Sequence, residues 1–226
     1  PASAMIFHAQ TLFIFLFKSD TIPLSINIMK EGFFIVIYGA NNMGKTTQVD
    51  KLINSLNGAG VKAQKIKYPI YDLEPTGPKI NEQLRGASGQ TLSEDEFQDL
   101  YIQNRFDYQP QLVRALDEGM TIIAEDYVGT GMAWGWTKGL DVEILIEKNK
   151  GLLKPDVEIL LDGERFEVPD EKNIHEKDDS LWLRSRRAHL ELAARLGWDV
   201  VNANQEVEEV HQEILNILEK RLNNIK

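Results

Sequence analysis

Five short segments of the chain are rich in apolar residues, most of them β-branched or aromatic, and each is bounded by Gly, Pro or charged turns. Their nearly continuous apolar character favours parallel strands that are covered on both faces. We predict strands at Phe33–Tyr38, Lys62–Tyr68, Met120–Glu125, Val157–Asp162 and Trp198–Asn202.

Helical spacing of apolar residues fills the intervals between these segments. Ser93 and Glu96 have the spacing of a capping box, and the helix that they open extends to Gly119, with a kink or break at Pro110. The alternation of strands and helices predicts an α/β fold with three layers, α/β/α, around a central five-stranded parallel sheet. The other predicted helices are Val49–Leu56, Leu183–Leu196 and Val207–Leu222.

A phosphate-binding pattern lies between the first predicted strand and the first predicted helix. The run Gly39-Ala40-Asn41-Asn42-Met43-Gly44-Lys45-Thr46-Thr47 fits G-x-x-x-x-G-K-[ST]. We expect its backbone N–H groups to face phosphate oxygens, Lys45 to reach the outer phosphates and Thr46 to hold Mg²⁺. An ordinary glycine turn would not require a lysine and a hydroxyl at these two positions. The sequence therefore predicts binding of a nucleoside triphosphate.

Composition narrows the classes of partner. The chain has 226 residues and a formal net charge of −10, which argues against a nucleic-acid surface but leaves room for a local basic pocket. It contains no cysteine, so the sequence excludes disulfides, thiol catalysis and cysteine-ligated zinc.

The N-terminal residues differ in pattern from the rest. Leu12–Phe17 is an apolar run that is too short to span a membrane, and we expect no membrane partner and a cytoplasmic location. We predict that residues 1–28 are a peripheral extension and that residues 29–226 form a single domain. The alternative is an N-terminal segment that binds a membrane or a partner.

From about Phe33 to the C-terminal helix, the chain resembles the thymidylate kinase family, because six groups of residues match that family's motifs in order. They are Gly39–Gln48; Tyr68-Pro69 with Thr76-Gly77 and Ile80; Leu100-Tyr101 with Asn104-Arg105-Phe106; Glu125–Val128 with Ala133-Trp134; Gly139–Asp141 with Asn149, Gly151-Leu152 and Pro155–Asp162; and Arg184, Arg186 and Leu190–Ala193.

The resemblance implies transfer of the γ-phosphoryl group of ATP to dTMP, with Mg²⁺, in a homodimer. It implies that Lys45 holds the donor phosphates and that Arg105 clamps the phosphate of the acceptor. It also implies that Tyr101 and Trp134 offer aromatic surface to the base, although ordinary core packing is an open alternative for both. Asn41, Tyr68 and Pro69 complete the substrate residues that the resemblance implies.

The phosphate loop departs from the family pattern. Asn41 stands where the family usually has an aspartate, Asn42 replaces a glycine, and the loop contains no arginine. We therefore expect cationic help from a lid segment at about residues 163–180. The lid candidates are Arg165, Lys172, His175 and Lys177.

The acceptor side departs further. Without a gap in the alignment, Glu125 takes the place of an aspartate and Asp126 that of an arginine; with one slip, Asp126 is the acidic residue and the arginine is absent. Either way a carboxylate ends the third strand and could bind Mg²⁺. The arginine expected after Pro69 is also missing, with Lys67 or Lys79 as possible substitutes.

These departures leave the acceptor open. The leading hypothesis is dTMP, and the alternatives are another monophosphate, a neutral deoxynucleoside, or a relative that binds ATP without catalysis. A nucleotide-switched ATPase is disfavoured by the matches on the substrate side.

Overall fold

The computed structural model describes residues 12–16, 24–28, 32–165 and 179–223. Two strands pair antiparallel in a sheet of their own, β1 (Leu12–Leu16) and β2 (Leu24–Ile28). The other five form one parallel sheet: β3 (Phe34–Tyr38), β4 (Ala63–Lys67), β5 (Thr121–Glu125), β6 (Val157–Asp162) and β7 (Asp199–Asn202).

The order in this sheet is β4-β5-β3-β6-β7, and every neighbouring pair is parallel. The predicted five-stranded parallel sheet is therefore confirmed. Because β3 is central, the loop that follows it opens at the middle of the sheet's carboxyl edge, where ligands bind in folds of this class.

Seven helices occur in the described parts of the chain. They are α1 (Lys45–Gly58), α2 (Thr76–Arg85), α3 (Glu94–Asp117), α4 (Val128–Thr137), α5 (Val142–Lys148), α6 (Asp179–Leu196) and α7 (Val207–Leu222). The sequence pattern predicts α1, α3, α6 and α7 but not α2, α4 and α5.

Helix α3 begins at the predicted capping box. The Ser93 hydroxyl accepts a hydrogen bond from the Glu96 backbone N–H, and the Glu96 carboxylate accepts one from the Ser93 N–H at 2.9 Å. The helix continues through Pro110 to Asp117, so a break at Pro110 was wrong. Buried side chains on both sides of the proline, Ile102 and Leu112, hold the two parts of the helix on the core.

The sheet is covered on both faces, which gives the three predicted layers. Alternate residues of β3 face opposite sides: Ile35 and Ile37 join the core under α1 and α7, whereas Phe34, Val36 and Tyr38 join the core under α3, α4, α5 and α6. All five side chains are at most 1% exposed. No helix in the described ranges has the length and apolarity that a membrane crossing requires.

Candidate functional site

One cavity of about 1180 Å³ lies at the carboxyl edge of the sheet. Part of its wall comes from the loop and start of α1, residues 41–48, and from Ala203 and residues 205–207 after β7. We call this the loop side. The remaining wall comes from residues after β4 and β5 and from α2, α3 and α4, including Tyr101, Arg105 and Trp134. We call this the α3–α4 side. The structure thus brings the predicted phosphate loop and the predicted substrate residues into one site.

The phosphate loop folds around the ammonium group of Lys45. The backbone is left-handed at Asn42 and Gly44, with φ of 63° and 76°, so the chain curls before α1 begins at Lys45. The Lys45 Nζ donates to the carbonyl oxygens of Gly39 and Ala40 at 2.8 and 3.0 Å. The ammonium is therefore buried in the loop, at the N-terminal end of a helix, where an anion is favoured.

A second contact anchors the loop from outside. The indole N–H of Trp182, in the first turn of α6, donates to the Asn41 carbonyl at 3.0 Å. Trp182 is buried and packs in the same core as Met43. Helix α6 therefore contacts the phosphate loop directly.

Glu125 is the last residue of β5, and its carboxylate lies next to Thr46 at the end of the phosphate loop. Thr46 Oγ1 lies 2.9 Å from each Glu125 oxygen, and Lys67 Nζ donates to Oε1 at 2.6 Å. Burial alone would raise the pKa of Glu125, but the hydrogen bond and charge of Lys67, together with Thr46, lower it below its usual value. Glu125 thus stays ionised next to the hydroxyl predicted to hold Mg²⁺.

Asp126 follows in a left-handed conformation, with φ of 63°. Its Oδ1 accepts a hydrogen bond from Thr130 Oγ1 at 2.8 Å and lies 3.8 Å from Lys45 Nζ. Burial raises the pKa of Asp126, and the charge of Lys45 opposes that rise. Asp126 therefore faces the donor lysine, whereas Glu125 contacts Thr46.

The oxygen atoms of Thr46, Glu125 and Asp126 fit Mg²⁺, which prefers hard oxygen ligands. The described residues contain no group of three or more His, Cys, Asp or Glu side chains able to hold a metal by themselves. This small donor set is the kind that Mg²⁺ uses together with substrate phosphates.

Arg105 lies buried on the α3–α4 side. It is 4% exposed, its Nη1 donates to Asn149 Oδ1 at 3.3 Å, and its Nε has no hydrogen-bond partner among the described residues. Gly131 makes room for the guanidinium, because a Cβ at that position would overlap Nη2. Burial lowers the pKa of Arg105, yet a guanidinium remains charged. The cavity wall therefore holds a positive charge without a described acidic neighbour.

Aromatic rings surround this arginine. The Tyr101 and Phe97 ring centroids are 4.6 Å apart, and Trp134 lies on the neighbouring helix α4. Tyr68 and Pro69 also line the cavity, but the Tyr68 ring packs against Tyr127 with centroids 5.0 Å apart. Tyr68 therefore belongs both to the hydrophobic core and to the wall of the cavity.

Several residues that line the cavity are not predicted from the sequence. Arg85 ends the unpredicted helix α2, and Lys138 caps the unpredicted helix α4, so neither could be placed. Ala203 and residues 205–207 carry no motif, and only the topology of the sheet brings them to the cavity. Arg165 is partly buried and is not part of the cavity wall. The other lid candidates, Lys172, His175 and Lys177, lie outside the described residues.

Three comparisons with known proteins give matches to the same family. A family profile described as thymidylate kinase matches residues 37–214. The thymidylate kinase of Dictyostelium discoideum is 26% identical over 214 residues, covering 88% of this chain and 90% of the relative. That of Arabidopsis thaliana is 29% identical over 201 residues, covering 85% and 73%. The solved structure of Candida albicans thymidylate kinase aligns with a TM-score of 0.73 and 25% identity, covering 85% of this chain and 93% of that one.

Proposed function

The chain belongs to the thymidylate kinase family, and we propose that it transfers the γ-phosphoryl group of ATP to dTMP, giving dTDP. The observation that carries the proposal is the pairing, in one cavity, of a phosphate loop with a buried arginine that has no acidic partner among the described residues. The loop suits the donor phosphates, and the arginine suits the phosphate of the acceptor.

On the loop side, the backbone amides of residues 41–46 and the Lys45 ammonium would bind the β- and γ-phosphates. Lys45 is already directed into the loop by Gly39 and Ala40, so little rearrangement is required. Where the loop side meets the end of β5, Thr46, Glu125 and Asp126 would hold Mg²⁺, which when bound neutralises charge on the phosphate oxygens. Phosphoryl transfer depends mainly on such positioning and charge neutralisation.

On the α3–α4 side, Arg105 would bind the acceptor phosphate, and the rings of Tyr101 and Trp134 would pack against the base. Both rings line the cavity, so they offer surface to a ligand as well as to the core. Tyr68, Pro69 and the Asn41 side of the loop would close the space between the acceptor and the donor.

We also propose that the enzyme acts in the cytoplasm as a homodimer, on the strength of the family resemblance alone. Light scattering coupled to size-exclusion chromatography measures the mass directly, and a mass of one chain at micromolar concentration contradicts the dimer.

A coupled assay of ADP release tests the proposed reaction. The acceptors are dTMP, dUMP, the other nucleoside monophosphates and thymidine, and we expect the highest kcat/KM with dTMP. Lys45→Ala is the control that removes donor binding and therefore turnover. Absence of turnover with every acceptor, despite binding of Mg·ATP, would indicate a non-catalytic relative. A preference for thymidine would indicate a nucleoside kinase, for which the Asp126 carboxylate in the cavity would be better suited.

A further inference from the structure

The basic residues of the cavity divide into two groups by their partners. The three lysines each pair with a carboxylate: Lys45 with Asp126 at 3.8 Å, Lys67 with Glu125 at 2.6 Å and Lys138 with Glu94 at 2.8 Å. The two arginines have neutral partners in the described parts of the chain. They are Arg85 and Arg105.

Arg85 is held in a defined orientation although it is exposed. Its guanidinium carbon lies 4.6 Å from the centroid of the Tyr71 ring, in a cation–π contact. Its Nη1 donates to Asn81 Oδ1 at 2.7 Å, and its Nη2 lies 3.4 Å from the Tyr71 hydroxyl. A guanidinium has five N–H groups, so most of its donors remain available.

Arg85 also belongs to the same part of the cavity as Arg105. Both line the wall, together with Tyr71 and Tyr101. Burial raises the pKa of Tyr101, and the charges of Arg105 and Arg85 both oppose that rise, so both guanidinium groups act on the same hydroxyl. The two arginines therefore face one region, beside the ring proposed to contact the base.

An anionic acceptor needs uncompensated positive charge in this region. A nucleotide phosphate would enter a cavity that already contains the carboxylates of Glu125 and Asp126, both of which repel it. Lys67 and Lys138 donate hydrogen bonds to the carboxylates of Glu125 and Glu94, and the Lys45 ammonium is held inside the phosphate loop. A lysine also offers no planar fork.

We propose that Arg85 binds the phosphate of the acceptor nucleotide and shares that anion with Arg105. Helix α2 thereby contributes to substrate selection through its last residue, and Tyr71 acts as the platform that positions the guanidinium. This inference rests on the proposed function, because it assigns a residue to the acceptor of that reaction.

The test compares the binding of dTMP with that of thymidine, which lacks only the phosphate. Calorimetric titrations are run on the wild-type protein and on Arg85→Gln and Arg85→Lys. We expect Arg85→Gln to weaken dTMP binding about tenfold, the low end for charged hydrogen bonds because the site is exposed, and to leave thymidine binding unchanged. Arg85→Lys should fall between, since it keeps a charge but loses the fork.

Arg187→Gln is the matched control. Arg187 is an exposed arginine of α6 that pairs with Glu191 at 2.7 Å and does not line the cavity, so its replacement should alter neither titration. Equal weakening of dTMP and thymidine by Arg85→Gln, or no weakening of either, would overturn the assignment.

Failure of the proposed function gives a different result. If the wild-type protein binds dTMP but never phosphorylates it, the reaction is wrong, while the titrations still decide whether Arg85 contacts the phosphate. If the wild-type protein binds dTMP no better than thymidine, a phosphate contact by Arg85 is excluded, whatever the ADP-release assay shows.

Discussion

A buried guanidinium without an acidic partner is costly to maintain in a folded protein, because the charge has lost its hydration. Within the part of the chain that the structure describes, Arg105 is in this situation, with one long hydrogen bond to Asn149 and an unpartnered Nε. A ligand anion would supply the missing partner. This cost is the physical reason for our proposal that Arg105 binds an anion.

Replacement of Arg105 by methionine, which keeps most of the volume, should separate these two roles. We expect the KM for dTMP to rise by about tenfold to a hundredfold, while the KM for ATP stays within about twofold, because Arg105 lies on the α3–α4 side. The unfolding free energy should not fall. Steady-state kinetics with each substrate varied in turn measures both constants, and an equal effect on the two would show that the role of Arg105 is misassigned.

The burial of His189 predicts how the unfolding free energy depends on pH. Its ring is 1% exposed, and Nδ1 lies 2.8 Å from the Ser185 carbonyl, to which it donates when protonated. Burial lowers its pKa from 6.5 to about 4. Between these values the unfolded chain binds a proton that the folded protein does not, so stability falls as pH falls through this window.

His189→Phe removes this titration. Urea unfolding between pH 7 and pH 4.5 should show a shallower loss of unfolding free energy in the variant, the difference approaching about 1.4 kcal/mol per pH unit, the value for one proton. Only the slopes are compared, because the substitution also changes packing. Parallel slopes would mean that His189 titrates normally in the folded protein.

At the scale of elements, local pattern predicts the strands but only part of the helices. Five apolar β-branched runs indicate five parallel strands because burial on both faces demands that composition. The sequence pattern does not predict helix α4, because this helix contains Gly129, Gly131 and Gly135 and glycine is a poor helix former. At these glycines a Cβ would meet Trp198, Arg105 or Leu145. Tertiary contacts therefore require glycine here, and the local sequence does not show those contacts.

Trp182 provides a prediction for helix α6. Trp182→Phe keeps an aromatic ring in the core but removes the N–H that binds the Asn41 carbonyl. We expect the loss of one hydrogen bond, about 1 kcal/mol, to appear as a fewfold weaker Kd for ATP, because the loop is less well fixed. Isothermal titration measures the Kd, with Trp136→Phe, which does not line the cavity, as control. Reduced stability with unchanged ATP affinity would confine Trp182 to packing.

At the scale of the whole molecule, the sequence predicts the part of the site that is contiguous. Residues 39–47 carry a motif, and Glu125 and Asp126 end a recognisable strand, so their meeting follows from parallel topology. The other cavity residues come from separate elements and meet only in the folded chain: Arg85, Lys138, Ala203 and residues 205–207. No spacing rule connects them.

The two sides of the cavity should respond independently to their ligands. Saturation with either ADP or dTMP at a hundred times its Kd should stabilise the protein by about 2.7 kcal/mol, which is roughly 5–10 °C in Tm for a chain of this size. We expect Lys45→Ala to lose the shift with ADP and keep that with dTMP, and Arg105→Met to do the reverse. Thermal melts with each nucleotide provide the measurement, and a variant that loses both shifts would contradict the division.

The space left by Gly131 has a consequence for acceptor specificity. A Cβ there would overlap Nη2 of Arg105, so any replacement of Gly131 would require the buried guanidinium to move. A substitution at position 131 would therefore act on the proposed acceptor site through the position of Arg105. Because Gly131 itself lines the cavity, a change of acceptor specificity would then begin at a cavity residue that has no side chain.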